Sequence, residues 1–209
     1  MILKGSNSII NGLVLAGGTS QRMGKDKTNI VWHDKPQSQY IAELIAPFCS
    51  DVYISRREVQ QADIDFPFKV LLDSVTGLGP FGAILSAFKM NDSCAWLVVA
   101  SDLPLLDHRT VNYLVEQRDQ NCMATTYKSP VDGLPEPLIS IWEPSSYPAL
   151  LSFQSQGFTC PRKVLLNVKV RILEASNPES LINVNTPTDA AIAERLIQNK
   201  IKDAGITQI

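Results

Sequence analysis

Cysteine is scarce and scattered. Cys49, Cys94, Cys122 and Cys160 are the four in 209 residues, with no C-x-x-C pair among them. That spacing excludes a structural zinc module and a disulfide framework, and it suits a reducing compartment. His33 and His108 are the two histidines. Each stands beside a turn or helix cap and reads as structural, and no motif ties either to a serine or cysteine, which excludes a nucleophile–base system. No apolar run approaches the length of a membrane span. Residues 1–12 lack the unbroken apolar core and small-residue cleavage site of a signal peptide. The expected location is therefore the cytoplasm, away from membranes. Nor is there an excess of either charge: 19 basic against 21 acidic residues give a formal net charge of −2. This argues against an extended nucleic-acid surface and leaves only a local basic patch.

What is present is an ordinary globular composition, 44% hydrophobic and 19% charged, in a chain long enough for one domain with a substantial core. Short apolar runs at 13–16, 51–55, 68–72 and 95–100 read as strands. Between them, Tyr40, Ile41, Leu44, Ile45 and Phe48 share one face of a helix, and a second helix is expected at about 81–89. Asp107 is placed to cap a third helix with Val111, Leu114 and Val115 inside. The β-α-β alternation predicts an α/β domain with a mostly parallel sheet and helices on both faces. Ligands of such sheets bind beyond the carboxyl ends of the strands.

The most informative stretch follows the first strand: Leu15-Ala16-Gly17-Gly18-Thr19-Ser20-Gln21-Arg22-Met23-Gly24-Lys25-Asp26-Lys27. Adjacent glycines permit a tight turn with exposed N–H groups, and Arg22, Lys25 and Lys27 add positive charge, so the ligand expected is a polyphosphate. A Walker A loop would need glycine where Thr19 stands and serine or threonine where Asp26 stands. The dinucleotide fingerprint G-x-G-x-x-G fails because Gly17 and Gly18 are adjacent. Two aspartates, Asp73 and Asp102, follow strands that should end at the same rim. A carboxylate there is costly unless it binds or caps something. Asp102 reads either as a Mg²⁺ ligand beside phosphates or as a turn former before Pro104; Asp73 reads as a ribose or base contact or as a strand terminator. Near the C-terminus, Thr186, Pro187 and Asp189 form an N-cap, first helical residue and capping-box acid. Ile192, Ala193, Leu196, Ile197 and Ile201 line the helix behind them. Asn183 and Asn185 are not needed to start that helix and are candidates to face a ligand.

Taken together, these motifs resemble those of the molybdenum cofactor guanylyltransferases, within the Rossmann-like nucleotidyltransferase superfamily. The glycine loop matches L-A-G-G-x-S-x-R-M-G-x-D-K. Asp73 with Gly79-Pro80-x-Gly82 is similar to the second motif, although the second glycine falls early. Ser101-Asp102-Leu103-Pro104 resembles C-D-x-P with serine first, and Asn183-Val184-Asn185-Thr186-Pro187 reproduces N-V-N-T-P. The resemblance implies a single three-layer α/β/α domain over residues 12–209 after a short extension at 1–11. It implies transfer of GMP from GTP to molybdenum-molybdopterin, with Mg²⁺ and release of pyrophosphate. Lys27, Arg22 and Asp102 would be catalytic, Asp102 also holding the metal. Leu15, Ala16, Gly17, Gly18, Lys27, Asp73, Gly79 and Asp102 would bind nucleotide, and Asn183 and Asn185 the second substrate. Partners would be GTP and molybdopterin, with transient contact to other proteins of molybdenum cofactor synthesis, and no nucleic acid. The family also holds the nucleotide with an asparagine after its second strand, where this chain has Ser55. Between residues 120 and 174 few motifs stand out beyond Pro137-Leu138-Ile139 and the pair Arg162-Lys163, which reads either as a solvated basic pair or as a meeting point for an anionic pterin phosphate. The alternatives are another nucleotidyltransferase of the same fold, for a cytidylyl or sugar-phosphate reaction, and a non-catalytic GTP-binding protein.

Overall fold

Residues 9–16, 32–56 and 67–203 are described by the structure, a computed structural model. Its first strand, β1 (Ile10–Leu15), begins earlier than the apolar run suggests, so Ile10 and Asn11 of the segment read as an extension already belong to the sheet. It pairs in parallel with β2 (Val52–Arg56) on one side and β4 (Ala95–Ala100) on the other, and β2 pairs in parallel with β3 (Lys69–Leu72). The chain then adds β5 (Ala124–Lys128), β6 (Pro135–Trp142) and β7 (Val170–Leu173). The seven strands run in the order β3-β2-β1-β4-β6-β5-β7. β6 is antiparallel to both its neighbours. The expected mostly parallel sheet is thus found, with one strand reversed.

Side chains of successive residues leave a strand on opposite faces, and the core divides accordingly. Val14, Ile54, Leu97 and Val99 point to the face covered by α1 (Gln37–Ile45) and α3 (His108–Glu116), through Ile41, Ile45, Val111 and Leu114. Leu13, Trp96, Val98 and Trp142 point to the other face. There they meet α2 (Pro80–Met90), α4 (Tyr147–Ser155) and α5 (Pro161–Leu165), through Phe81, Ile84, Phe88, Leu150 and Val164. The result is three layers, α/β/α. Phe48, expected on the α1 face, lies instead in the 3₁₀ turn Ala46–Phe48 that ends the helix.

Two of the helix starts match the sequence reading. Asp107 accepts hydrogen bonds from the backbone N–H and the hydroxyl of Thr110, both at 2.8 Å, and so caps α3. At α6 (Pro187–Asp203) the Thr186 hydroxyl accepts from Asp189 N at 3.1 Å, and the Asp189 carboxylate accepts from Thr186 N at 2.8 Å, a reciprocal capping box. The stripe of α6 is narrower than expected: Ala193 and Ile197 are buried, whereas Ile192 is exposed. Among the described residues no helix is long and apolar enough to cross a membrane.

Candidate active site

The strand order reverses at β1. Moving outward from it, the chain lays down β2 and β3 on one side and then returns to place β4 on the other. Such a switch point leaves a crevice at the carboxyl ends of the two central strands. Leu71, Ser55, Leu15 and Ala100 stand in one row across β3, β2, β1 and β4. The residues just beyond the row therefore share one rim, roughly 14 Å wide at about 4.8 Å per strand spacing.

Ala16 leads off that rim into the glycine loop. Gly17, Gly18, Arg22, Lys25 and Lys27 lie outside the described residues, but the loop's point of departure is fixed. Ser101 N donates to Leu15 O at 3.1 Å, which extends the β1–β4 ladder one step and sets Asp102 beside the start of the loop. Asp102 is half-buried. Its own turn is held from several directions. Val184 N donates to Asp102 O at 2.9 Å, Gln37 Nε2 to Leu103 O at 3.2 Å and Tyr40 Oη to Leu106 O at 3.4 Å. His33 Nε2 lies 2.9 Å from Pro104 O. A carbonyl can only accept, so this ring nitrogen carries the proton. Burial lowers the His33 pKa, with the Pro104 carbonyl acting against it, and the ring stacks on Tyr40 at 3.8 Å. His33 is therefore structural, as expected. Gln37 and Tyr40 are residues that sequence reasoning missed, because no motif marks a donor 66 positions from its carbonyl.

The Val184 bond brings the N-V-N-T-P segment to the same turn. Asn183 and Asn185 flank Val184 and are placed differently. Asn183 is half-buried, and its Oδ1 is sealed from solvent with no hydrogen-bond partner among the described residues. Asn185 is exposed, and its backbone N–H donates to the Asp189 carboxylate at 3.1 Å.

At the far side of the rim Asp73 ends β3. Its N–H donates to Arg56 O at 3.0 Å, and its Oδ1 accepts from the Ser55 hydroxyl at 2.6 Å. In the stretch that follows, Gly79 and Gly82 have different tasks. Gly79 has φ +55° and ψ −135° at the start of α2, a conformation L side chains rarely adopt. At Gly82 a Cβ would come within 2.3 Å of Val75 O, so the loop from β3 can fold against α2 only over a bare Cα.

Because β6 is antiparallel to β4, its first residues reach the same end of the sheet. Here Arg162 is forked between two carboxylates, Nη1 to Asp132 Oδ2 at 2.7 Å and Nη2 to Glu136 Oε2 at 2.8 Å. Burial pushes the Glu136 pKa up, while Arg162 and the Leu138 N–H draw it down. Lys163 points elsewhere, over the Phe158 ring at 5.5 Å. Of the two readings of Arg162 and Lys163, the anionic-ligand pair does not fit this arrangement, since one guanidinium shared by two carboxylates has little charge to offer. All four cysteines are free thiols, and burial raises the Cys49 pKa to about 12, far from a reactive thiolate.

A family model described as the MobA-like NTP transferase domain matches residues 12–196. The chain belongs to this family. A molybdenum cofactor biosynthesis bifunctional protein of Synechocystis sp. is 33% identical over 185 residues, 88% of this chain and 53% of that protein. The chain thus spans about half the length of that relative. A protein of Synechococcus elongatus named "probable molybdenum cofactor guanylyltransferase" is 32% identical over 184 residues, 85% of this chain and 94% of its own. Among solved structures, molybdopterin-guanine dinucleotide biosynthesis protein A from Archaeoglobus fulgidus superposes with a TM-score of 0.75 at 22% identity, covering 91% of this chain and all of its own (100%). That likeness shows the MobA-like fold. The family places the chain among nucleotidyltransferases.

Proposed function

We propose that this protein transfers GMP from GTP to molybdenum-molybdopterin, forming the guanine dinucleotide cofactor and releasing pyrophosphate. The observation that carries this reading is the meeting of three motifs at one switch point: the start of the glycine loop at Ala16, the turn that carries Asp102, and the Asn183–Asn185 segment tied to the Asp102 backbone carbonyl through Val184. Relatives named for guanylyl transfer supply the substrates.

The reaction needs little covalent chemistry from the protein. The terminal phosphate of the pterin attacks the α-phosphorus of GTP in line, and pyrophosphate leaves. The protein's part is to position the two phosphates and neutralise the charge that develops between them. In this reading Lys27 holds the α-phosphate against the incoming phosphate. Arg22 and the N–H groups of Gly17 and Gly18 hold the β- and γ-phosphates, while Leu15, Ala16, Asp73 and Gly79 line the nucleotide. Asn183 and Asn185 face the acceptor. The family implies Mg²⁺, and the donors fit it: the Asp102 carboxylate and the amide oxygen of Asn183, which has no hydrogen-bond partner among the described residues, are the hard oxygen ligands magnesium takes, few in number beside phosphate oxygens and water. Bound there, the metal would polarise the α-phosphate. No side chain in the site is required as a general base, because the attacking phosphate is already ionised.

Calorimetric titration with GTP, CTP, UTP and ATP in the presence of Mg²⁺ tests the reading, followed by pyrophosphate release on adding molybdopterin. Binding of GTP alone and release only with acceptor is the expected result. A preference for CTP or UTP would keep the phosphate chemistry and discard the named substrate. Binding of GTP without any release would make the protein a sensor.

A further inference from the structure

We propose that Ser55 is a positioning residue that serves the nucleotide through Asp73 and does not itself touch it. The inference rests on the nucleotide-binding reading of the rim. Ser55 is 1% exposed, in the interior of the row that joins β3, β2, β1 and β4. A ligand lying on the rim cannot reach a side chain so completely covered. Its hydroxyl has one proton, and that proton is committed to Asp73 Oδ1 at 2.6 Å, the short distance of a hydroxyl donating to a carboxylate.

Asp73 receives a second tie from β2, its N–H donating to Arg56 O at 3.0 Å. Backbone and side chain are thus both fastened to the same strand. Asp73 remains half-buried at the open end of the sheet, two strands from the glycine loop. With the phosphates beside β1, that offset sets Asp73 against the nucleoside half of the ligand. A carboxylate that reads a ribose or base must present a fixed oxygen, because a freely turning one gives up part of each hydrogen bond as lost rotamer entropy. The Ser55 hydroxyl fixes it from the buried side.

The two roles separate in a double-mutant cycle read as the GTP dissociation constant, with Ser55→Ala, Asp73→Ala and the double variant. Ser55→Ala is expected to weaken GTP about tenfold, the value of one charge-assisted hydrogen bond, raising KM and leaving kcat within about twofold. In the Asp73→Ala background the same change is expected to do nothing, because its only route to the nucleotide has gone. Ser55→Thr keeps the donor and should keep the affinity; it also guards against a folding defect, with circular dichroism and thermal melting as checks on all variants. Additive losses would mean that Ser55 touches the nucleotide directly, and unchanged affinity in Ser55→Ala would mean that it does nothing there. Either result overturns the proposal. If another nucleotide binds in place of GTP, the proposed substrate falls and the cycle is run with that nucleotide. If none of the four binds, both proposals fall.

Discussion

The two ends of the sheet use the same kind of residue for opposite purposes. At the carboxyl end of the parallel strands, Asp73 and Asp102 follow β3 and β4 and are half-buried, open on one side. At the other end, where antiparallel β6 finishes, Glu143 is almost fully buried. Arg118 grips it with Nε to Oε1 at 2.6 Å and Nη2 to Oε2 at 2.8 Å, the two side chains 7% and 3% exposed. A carboxylate sealed with its counter-ion is finished: both oxygens are taken and no ligand can enter. A carboxylate at an open rim stays reachable from one side, which is what a phosphate-transfer site requires. The contrast predicts that damage at one end will unfold the protein and damage at the other will silence it.

Breaking the sealed pair should have the largest effect. Arg118→Met leaves Glu143 charged and buried without its partner, a loss of about 3–5 kcal/mol for pairs of this kind. For a chain of this size that corresponds to a fall of roughly 10 °C in Tm. Nucleotide affinity of the folded fraction should not change. Adding Glu143→Gln removes the stranded charge and should return part of the stability, as differential scanning calorimetry would read directly. A weaker nucleotide in folded Arg118→Met would show that the two ends are not independent.

Asp102→Asn is the complementary test at the open end. Losing one charged contact in the reacting region typically costs about 3 kcal/mol of transition-state stabilisation, or roughly a hundredfold in turnover. The turn itself is held by bonds to its carbonyls from Val184, Gln37, Tyr40 and His33, none of which involves the carboxylate. The melting temperature should therefore stay within a few degrees of the parent. Retention of most of the turnover would remove Asp102 from the catalytic assignment, and a large fall in Tm would move it to the structural class of Glu143.

How much of this was legible in the sequence depended on how local each signal is. Ala95–Ala100 is a continuous apolar run buried on both faces, and its bounds were readable to the residue. The caps at Asp107 and Thr186 lie within three residues of their partners and were equally readable. β1 began earlier than expected because Asn11 and Gly12 look like breakers. In the fold, Gly12 makes room for α1, a Cβ there falling 2.8 Å from Ile45 Cδ1. β6 was hidden by Pro135 and Pro137, residues that usually signal a loop. The candidate site was legible as motifs, since Asp73, Asp102 and the asparagines each follow a recognisable run. What joins them was not: Ser55 is 18 positions from Asp73, and Arg118 is 25 from Glu143. No periodicity or spacing rule marks such pairs; only the strand order brings them together.

The smallest expected effect concerns the support of the open end and is read through pH. Burial lowers the His33 pKa below its ordinary value of 6.5, opposed by the Pro104 carbonyl and by Asp34 and reinforced by Lys35. The unfolded chain therefore binds a proton at a pH where the folded one does not. Stability contributed by neutral His33 is complete above the ordinary histidine range and is lost as pH falls through the lowered folded value. Carboxylates such as Glu136, whose pKa burial raises, add a pH dependence of their own, so the comparison must be between the parent and His33→Gln over pH 8 to 5, by urea midpoint. The parent should lose more stability over that interval than the variant. Because the Pro104 carbonyl belongs to the Asp102 turn, the parent's nucleotide affinity should weaken over the same interval by more than the variant's. Parallel curves would show that His33 is only packed there. A difference in stability without one in affinity would show that the turn holds Asp102 in place without its help.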